Sequence, residues 1–263
     1  MSPANSLCHV GQAWPETAAD FNEQRERWSS MSGGLKLDNI IFTGRTYNEY
    51  MRMFNLTAED VAHETFFLCP GGASSFPAVA MQNGGRVLAG DIVYGETRAG
   101  LEHRGRASIG TIHAGMHDAQ EGYHWGEFGD VDGLVRTRTE ALDTFLADYE
   151  TGVVEGRYLP CTLPSIPLDG AMVDLVLSDH LLFTYPQFFD YEFHIKSIED
   201  MLRVAKREVR LFPLISSASS MKPPYFEEVV QHIRMLGHEA VVETVAYHFQ
   251  NGANEMLRIS KRK

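Results

Sequence analysis

The sequence predicts an α/β protein: a Rossmann-like, seven-stranded, mostly parallel sheet with helices on both faces, an antiparallel terminal hairpin and an N-terminal helical lid. Short apolar runs alternate with helical patterns over most of the chain, which is typical of a parallel sheet covered by helices. A Gly-rich turn at residues 70–76 follows the first apolar run, at residues 65–68. The turn-rich residues 250–254 lie in the short connection between the last two apolar runs, at 240–245 and 255–259. Because this connection is too short for a parallel crossover, we expect these runs to pair antiparallel.

Two domains are expected. Residues 1–60 are predicted to form the helical lid, which ends in a short capped helix at 57–60. Residues 61–263 are predicted to form the main domain. Gly, His and charged residues are frequent at 95–135 without a sustained helical period, so an insertion at about 95–140 is predicted to cover the site, and helical spacing returns at 137–149. The predicted strands are 65–68, 86–91, 157–163, 173–177, 208–214, 240–245 and 255–259, and further helices are predicted at 195–204 and 225–236.

Composition limits the partners. The 263 residues include 23 Lys and Arg against 35 Asp and Glu, a formal net charge of −12, which argues against nucleic acid as a partner. Three widely spaced cysteines suit a reducing cytoplasm better than a disulfide framework. No apolar run approaches the length of a membrane span, and the first residues do not resemble a signal peptide. We therefore expect a cytoplasmic enzyme that acts on a small molecule, with no membrane partner; the oligomeric state stays open.

The Gly-rich turn predicts a site for a nucleoside-containing cofactor. Gly71 and Gly72 allow a ligand to approach the backbone closely. Asp91 ends the next strand about 20 residues further on, where a ribose diol needs a carboxylate acceptor. The turn is not G-x-G-x-x-G, which weakens the case for a nicotinamide or flavin cofactor. The chain has no Gly-Lys-Ser or Gly-Lys-Thr, so a Walker-type phosphate loop has no support.

Several motifs follow this turn in a characteristic order. They are Pro-Gly-Gly-Ala-Ser-Ser-Phe at 70–76, Asp91, Leu163-Pro164 before the fourth strand, Val-Asp-Leu-Val-Leu-Ser-Asp-His at 173–180, Met-Leu-Arg-Val at 201–204 and Glu-Val-Arg-Leu-Phe-Pro-Leu at 208–214. Over about residues 60–260 the chain thereby resembles the class I S-adenosylmethionine (SAM)-dependent methyltransferases. The resemblance implies SAM as the cofactor. It also implies that the Gly-rich turn contacts the methionine part, Asp91 the ribose hydroxyls and the end of the fourth strand the reacting centre. The predicted cofactor-binding residues are Tyr47, Pro70, Gly71, Gly72, Ala73, Asp91, Leu163 and Ser178.

Three residues are predicted to be catalytic. Tyr185 follows the fourth strand, where its ring could stabilise a sulfonium through a cation–π contact. Asp179 and His180 could act as general bases for an acceptor hydroxyl or amine. Tyr47 could close the site as part of the lid. His113 and His117 have the i,i+4 spacing of a helical metal pair, but a zincin needs Glu directly after the first His, so no metal is predicted.

The chain departs from the family pattern at the end of the first strand. Leu68 stands where the family usually carries an acidic residue, and Pro70 and Ser74 replace two turn glycines. That carboxylate ordinarily helps to hold the ammonium group of the cofactor, and an amine without it has a lowered pKa. Three functions therefore stay open. They are methyl transfer to a small molecule of specialised metabolism, intramolecular cyclisation of SAM to azetidine-2-carboxylate with release of methylthioadenosine, and a non-catalytic scaffold of cofactor fold.

Overall fold

The computed structural model describes Leu35, Leu37 and residues 39–262. Its strands and helices alternate along the chain as the sequence predicts. The strands are β1 (Thr65–Leu68), β2 (Arg86–Asp91), β3 (Tyr158–Pro160), β4 (Val173–Asp179), β5 (Ala205–Phe212), β6 (Glu239–Thr244) and β7 (Glu255–Ser260). The α-helices of the described residues are α1 (Tyr47–Met53), α2 (Ala58–His63), α3 (Phe76–Gln82), α4 (Arg98–Ala119), α5 (Val131–Val154), α6 (Tyr191–Val204) and α7 (Phe226–Met235).

The strands form one sheet in the order β3-β2-β1-β4-β5-β7-β6. The pairs from β3 to β5 are parallel, and β7 runs antiparallel to both β5 and β6. The predicted fold class, including the terminal hairpin, is confirmed. The strand order reverses between β1 and β4, and ligands of open α/β sheets bind beyond the carboxyl ends of the strands at such a point.

The sheet separates two cores because its strands alternate their side chains between the faces. Phe66 and Leu68 of β1 pack into one core, where Phe66 meets Phe76 of α3 edge to face at 5.8 Å. Phe67 points into the other core, together with apolar residues of α6 and α7. Helices therefore cover both faces of the sheet.

Capping side chains define the starts of the first two helices. Thr46 and Glu49 form a reciprocal capping box at α1, and Thr57 and Asp60 form another at α2, which confirms the predicted capped helix. The predicted lid falls mainly on residues 1–34, 36 and 38, which lie outside the described residues. Its described end contributes α1 and α2.

The expectation of an aperiodic segment at 95–135 is wrong. This part of the chain forms α4, of 22 residues, and the start of α5, of 24 residues. The helical stripe of α4 escapes detection because two of its buried positions are Gly105 and Ser108, which carry no apolar signal. Leu142 of α5 packs against Gly105 so closely that a Cβ there would lie 2.6 Å from its Cδ1.

Other elements differ from prediction mainly at their ends. β3 is shorter than the predicted strand at 157–163, because the chain turns after Pro160 and the Ser165 N–H donates to the Thr162 carbonyl at 2.7 Å. Helix α6 begins earlier than predicted, at Tyr191, where the Asp190 side chain caps the Phe193 N–H at 2.8 Å. Across the described part of the chain, no helix is both long enough and apolar enough to cross a membrane.

Candidate functional site

A cavity of about 450 Å³ opens beyond the carboxyl ends of β1, β2 and β4. Its floor includes Pro70 after β1, Asp91 at the end of β2, and Asp179 and His180 at the end of β4. The segment before α1 and the helices α4 and α5 supply further walls, so the site lies at the reversal of strand order. Most of the remaining lining is apolar, including Leu35, Ile40, Ile41, Phe42, Ile92, Val93, Ile112, Met116, Leu134, Leu181, Phe189 and Phe249.

Residues 43–45, which we call the strap, lie directly on the Gly-rich turn. A Cβ on Gly44 would lie 1.9 Å from the Ala73 carbonyl oxygen, so only glycine permits this approach. Gly72 has a φ of +54°, and a Cβ there would lie 2.6 Å from the Thr43 carbonyl oxygen. Gly72 thus makes room for the protein's own strap, whereas a Cβ on Gly71 would lie 2.4 Å from the Tyr94 hydroxyl oxygen.

The backbone N–H groups of the turn already have acceptors inside the protein. Only the strap, β2 and the turn itself provide these acceptors. The bonds run from Gly71 to the Gly90 carbonyl (2.8 Å), from Gly72 to Asp91 Oδ2 (2.9 Å), from Ala73 to the Thr43 carbonyl (3.2 Å), from Ser74 to the Gly71 carbonyl (3.4 Å), from Ser75 to the Arg45 carbonyl (3.1 Å) and from Phe76 to Ser74 Oγ (3.1 Å).

Asp91 is held in place by two backbone donors. Its Oδ2 accepts the Gly72 N–H, and its Oδ1 accepts the Val93 N–H at 3.2 Å. The side chain lines the cavity although the residue is only 8% exposed, and this burial raises its pKa. Because each carboxylate oxygen has more than one acceptor site, both can still accept a hydroxyl from a ligand.

Asp179 and His180 form a hydrogen-bonded pair at the end of β4. The Tyr50 hydroxyl of α1 donates to Asp179 Oδ1, and His180 Nδ1 lies 3.2 Å from Asp179 Oδ2. Burial, reinforced by the nearby positive charge of Arg45, lowers the pKa of His180 to about 4. The imidazole is therefore neutral at pH 7, and both residues line the cavity.

Arg45 brings a positive charge into the cavity wall. Its carbonyl is fixed by the Ser75 N–H and by Ser74 Oγ, which donates at 3.0 Å. Its guanidinium makes no hydrogen bond or ion pair within the residues that the structure describes, and Nε is buried without a partner. This arginine was not predicted from the sequence.

A buried network behind the cavity also escaped prediction. Arg138 of α5 forms two hydrogen bonds with Glu49 of α1, at 2.7 and 2.8 Å, and the Tyr247 hydroxyl donates to Glu49 Oε1 at 2.8 Å. Burial acts to raise the pKa of Glu49, but the charge and hydrogen bonds of Arg138 overcome it and lower the pKa to about 2. Two features of the sequence pointed to members of this network. Glu49 belongs to the capping box that begins at Thr46, and Arg138 interrupts an otherwise apolar helical stripe.

Tyr185 lies in the aromatic wall after β4. It is buried, lines the cavity, and its pKa is raised to about 12 by burial. Its ring centroid is 6.1 Å from that of Phe188, while Phe189 and Phe193 stack at 4.4 Å and line the same cavity. The structure thus brings Tyr185 into the same cavity as Asp179 and His180.

The structure places the predicted site residues in two groups. Those that line the cavity are Pro70, Gly72, Asp91, Leu163, Asp179, His180 and Tyr185. Tyr47, Gly71, Ala73 and Ser178 do not line it. Tyr47 stacks on Phe76 at 5.4 Å, Ala73 is buried in the core, and Ser178 Oγ is buried without a partner.

Two cysteines that are distant in sequence meet at the cavity wall. Cys69 and Cys161 are free thiols with their sulfurs 3.7 Å apart. In the described ranges, His, Cys, Asp and Glu form no group of three or more that could hold a metal ion. The ring centroids of His113 and His117 lie 5.1 Å apart on α4.

Comparison with known proteins finds a curated relative and likenesses to solved structures. No protein-family model matches the chain. The uncharacterized protein MJ0045 of Methanocaldococcus jannaschii is 27% identical over 228 residues, 86% of this chain and 99% of that protein. The structure of magnesium protoporphyrin IX methyltransferase (ChlM) from Synechocystis PCC 6803 with bound SAM aligns at a TM-score of 0.39 and 14% identity, covering 78% of this chain and 73% of that chain. A SAM dependent methyltransferase from Aquifex aeolicus aligns at a TM-score of 0.35 and 13% identity, covering 90% and 87%. At these TM-scores the fold assignment rests on the strand order itself.

Proposed function

We propose that the protein is a SAM-dependent enzyme that transfers the methyl group to a small molecule. The observation that carries this proposal is the position of Asp91. It ends β2 beside the reversal of strand order, lines the cavity, and is held there by the N–H of the Gly-rich turn. A carboxylate fixed in this way suits the two hydroxyls of a ribose ring.

The rest of the cavity suits such a ligand in size and chemistry. Its volume of about 450 Å³ lies within the range of small-molecule sites. Ile92 and Val93 follow Asp91 in the chain, and Leu163 follows β3, whose Pro160 pairs with Asp91. These side chains line the cavity and provide apolar wall that suits a purine ring. The aromatic wall at Tyr185 and Phe189 suits a sulfonium, because the faces of aromatic rings attract cations.

Methyl transfer needs little beyond alignment. The acceptor's lone pair attacks the methyl carbon, the carbon–sulfur bond breaks, and its electron pair stays on sulfur to give S-adenosylhomocysteine. Holding the two reactants in line can supply most of the acceleration. We assign the role of accepting the acceptor's proton to His180, which is neutral and lies beside Asp179. Because the strap, α4 and α5 wall the cavity, we expect an acceptor small enough to enter it.

The test measures binding first and turnover second. Calorimetry with S-adenosylhomocysteine should show one site per chain. Mass spectrometry of the protein with SAM and a set of small acceptors should show S-adenosylhomocysteine that depends on both protein and acceptor. Absence of binding would refute the proposal and favour the non-catalytic scaffold.

Intramolecular cyclisation of SAM is the second candidate, and a specific observation favours it. Leu68 is fully buried in the core, and among the described residues only two carboxylates line the cavity, Asp91 and Asp179. Asp179 already accepts from Tyr50 and lies 3.2 Å from His180 Nδ1, so a ligand ammonium group would compete with these two side chains for it. An ammonium group without a carboxylate partner loses its proton more easily, which frees the amine as a nucleophile.

The two reactions leave different products. In cyclisation the amine nitrogen attacks the methionine γ-carbon, the bond from that carbon to sulfur breaks, and the electron pair leaves with methylthioadenosine. The nitrogen then gives its extra proton to water. SAM incubated alone with the protein distinguishes the candidates, because methylthioadenosine with azetidine-2-carboxylate above the spontaneous background supports cyclisation. No turnover until an acceptor is added supports methyl transfer.

A further inference from the structure

The Gly-rich turn cannot offer its backbone to an anionic ligand. All six N–H groups from Gly71 to Phe76 donate to acceptors inside the protein. Pro70 and Pro77, which flank them, have no N–H. A ligand carboxylate at this turn therefore has to find its donors on a side chain.

The strap that lies on the turn also places the cationic side chain of Arg45 at the cavity wall. Thr43 accepts the Ala73 N–H, and Arg45 accepts both the Ser75 N–H and the Ser74 hydroxyl. These bonds fix the Arg45 backbone directly over the turn, while its side chain lines the cavity. The strap thus accepts two of the six N–H groups of the turn, and its Arg45 supplies five N–H donors in a planar fork.

The surrounding carboxylates do not satisfy this fork. Both oxygens of Glu49 are taken by Arg138, and one of them also accepts from Tyr247. Asp179 is bound by Tyr50 and His180. Burying the guanidinium Nε of Arg45 without a partner costs free energy that a bound anion would offset. A carboxylate suits this position because its two oxygens can accept two parallel N–H bonds from one guanidinium.

We propose that Arg45 binds the carboxylate of the cofactor's amino-acid part, in place of the backbone donors of the turn, which are all engaged inside the protein. This inference rests on the proposed function, because it takes SAM as the ligand. It differs from the sequence expectation that Gly71 and Gly72 contact the methionine part. The methionine carboxylate is the favoured partner because Arg45 is anchored on the turn itself.

The experiment compares two ligands that differ in the amino-acid part. S-adenosylhomocysteine carries the carboxylate, and 5′-methylthioadenosine keeps the nucleoside but has no amino acid. Calorimetry is done with the wild-type protein, Arg45→Met, Arg45→Lys and Arg207→Met. Arg207 pairs with Glu64 at the far end of the sheet, so Arg207→Met is a matched control for the loss of a cation.

We expect Arg45→Met to weaken S-adenosylhomocysteine roughly 10- to 100-fold, the range for a lost charge-assisted bond, and methylthioadenosine less than about twofold. Arg45→Lys should restore part of the loss, and Arg207→Met should leave both affinities unchanged. Since the ammonium group would be repelled by Arg45, a weakening specific to S-adenosylhomocysteine identifies the carboxylate.

Two results would overturn the inference. One is unchanged binding of S-adenosylhomocysteine to Arg45→Met, and the other is equal weakening of both ligands, which would assign Arg45 a role in the fold or the nucleoside site. If the wild-type protein binds neither ligand, the proposed function fails as well, and this outcome is distinct from the other two.

Discussion

The Tyr50 hydroxyl of α1 donates a hydrogen bond to Asp179 Oδ1 at the end of β4. The two residues are 129 positions apart in the chain, and the bond joins the first described helix to the central strand of the sheet. Tyr50 is almost completely buried, and its ring also packs on Phe76 at 5.0 Å. The bond therefore holds α1 against the cavity and orients the carboxylate beside His180.

Tyr50→Phe should lower the free energy of unfolding by about 1–3 kcal/mol, because it leaves the Asp179 carboxylate with one donor fewer. Chemical denaturation of Tyr50→Phe, Asp179→Asn and the double variant measures the coupling, which we expect to be at least ~0.5 kcal/mol. Tyr225→Phe is the matched control, since its hydroxyl donates to the Phe189 carbonyl instead. If the effects of Tyr50→Phe and of Tyr225→Phe on the free energy of unfolding each add to that of Asp179→Asn, the prediction is wrong.

Glu49→Gln should lower the free energy of unfolding by about 3–5 kcal/mol, because it leaves the buried Arg138 without its counter-charge. Replacing both partners, as in Glu49→Leu with Arg138→Met, should cost less than this single change. Denaturant titration of the three proteins checks both statements. If Glu49→Gln lowers the free energy of unfolding no more than the double variant does, the unpaired charge of Arg138 is not the cause of the loss.

Asp91→Ala should weaken S-adenosylhomocysteine binding by about 1–3 kcal/mol, through loss of charge-assisted bonds to the ribose diol. Asp174→Ala is the matched control, because Asp174 accepts the Thr65 N–H at the opposite end of the sheet. Calorimetry measures both variants. Unchanged affinity in Asp91→Ala would remove Asp91 from the ribose site.

Tyr185→Phe should change turnover little and Tyr185→Ala should reduce it strongly, because phenylalanine keeps the ring face that attracts a sulfonium. The cation–π contribution is about 0.5–2 kcal/mol. Initial rates at saturating SAM compare the two variants, with thermal unfolding as the check on folding. Equal turnover in the two variants would count against a sulfonium contact.

Acid should destabilise the protein partly through His180. The pKa of His180 is about 4 in the folded protein, below the ordinary value of 6.5, so between these pH values the unfolded chain binds a proton that the folded protein does not. The stability that the neutral imidazole contributes is therefore complete above pH 6.5 and is lost as the pH falls toward 4. The contribution is at most ~3 kcal/mol. Denaturation at several pH values should show that the free energy of unfolding falls less between pH 6.5 and 4 for His180→Asn than for the wild-type protein. Asparagine tolerates the φ of 47° at this position. Parallel curves for the two proteins would refute this.

Much of the fold was predictable because its signals are local. The apolar run of β1, the turn after it and the short connection before β7 each specify their own structure, and together they indicate a mostly parallel sheet with an antiparallel terminal hairpin. Helix α4 was not predictable in the same way. Gly105 faces the core there because Leu142 of the neighbouring helix fills the space, and the buried Ser108 hydroxyl accepts the Phe42 N–H. No pattern within α4 records these partners.

The site was predictable where it follows the strand ends and not where distant segments meet. Asp91, Asp179 and His180 could be placed because the carboxyl ends of parallel strands share one edge of the sheet. The pairing of Glu49 with Arg138 joins residues 89 apart, and the contact of Tyr50 with Asp179 joins residues 129 apart. A single sequence contains no signal that links such positions, so these two contacts could not be predicted. The position of Arg45 over the Gly-rich turn could not be predicted for the same reason.

The place of β1 in the sheet has a consequence for synthesis of the chain. β1 pairs with β2 across about twenty residues, but its other neighbour, β4, pairs Phe66 with Leu175, 109 residues later. At about 5–20 residues per second, a ribosome needs about 5–20 s to make the intervening chain. During that interval one edge of the apolar segment Phe66–Phe67–Leu68 has no strand partner, so we expect the nascent chain to need protection from aggregation until β4 emerges.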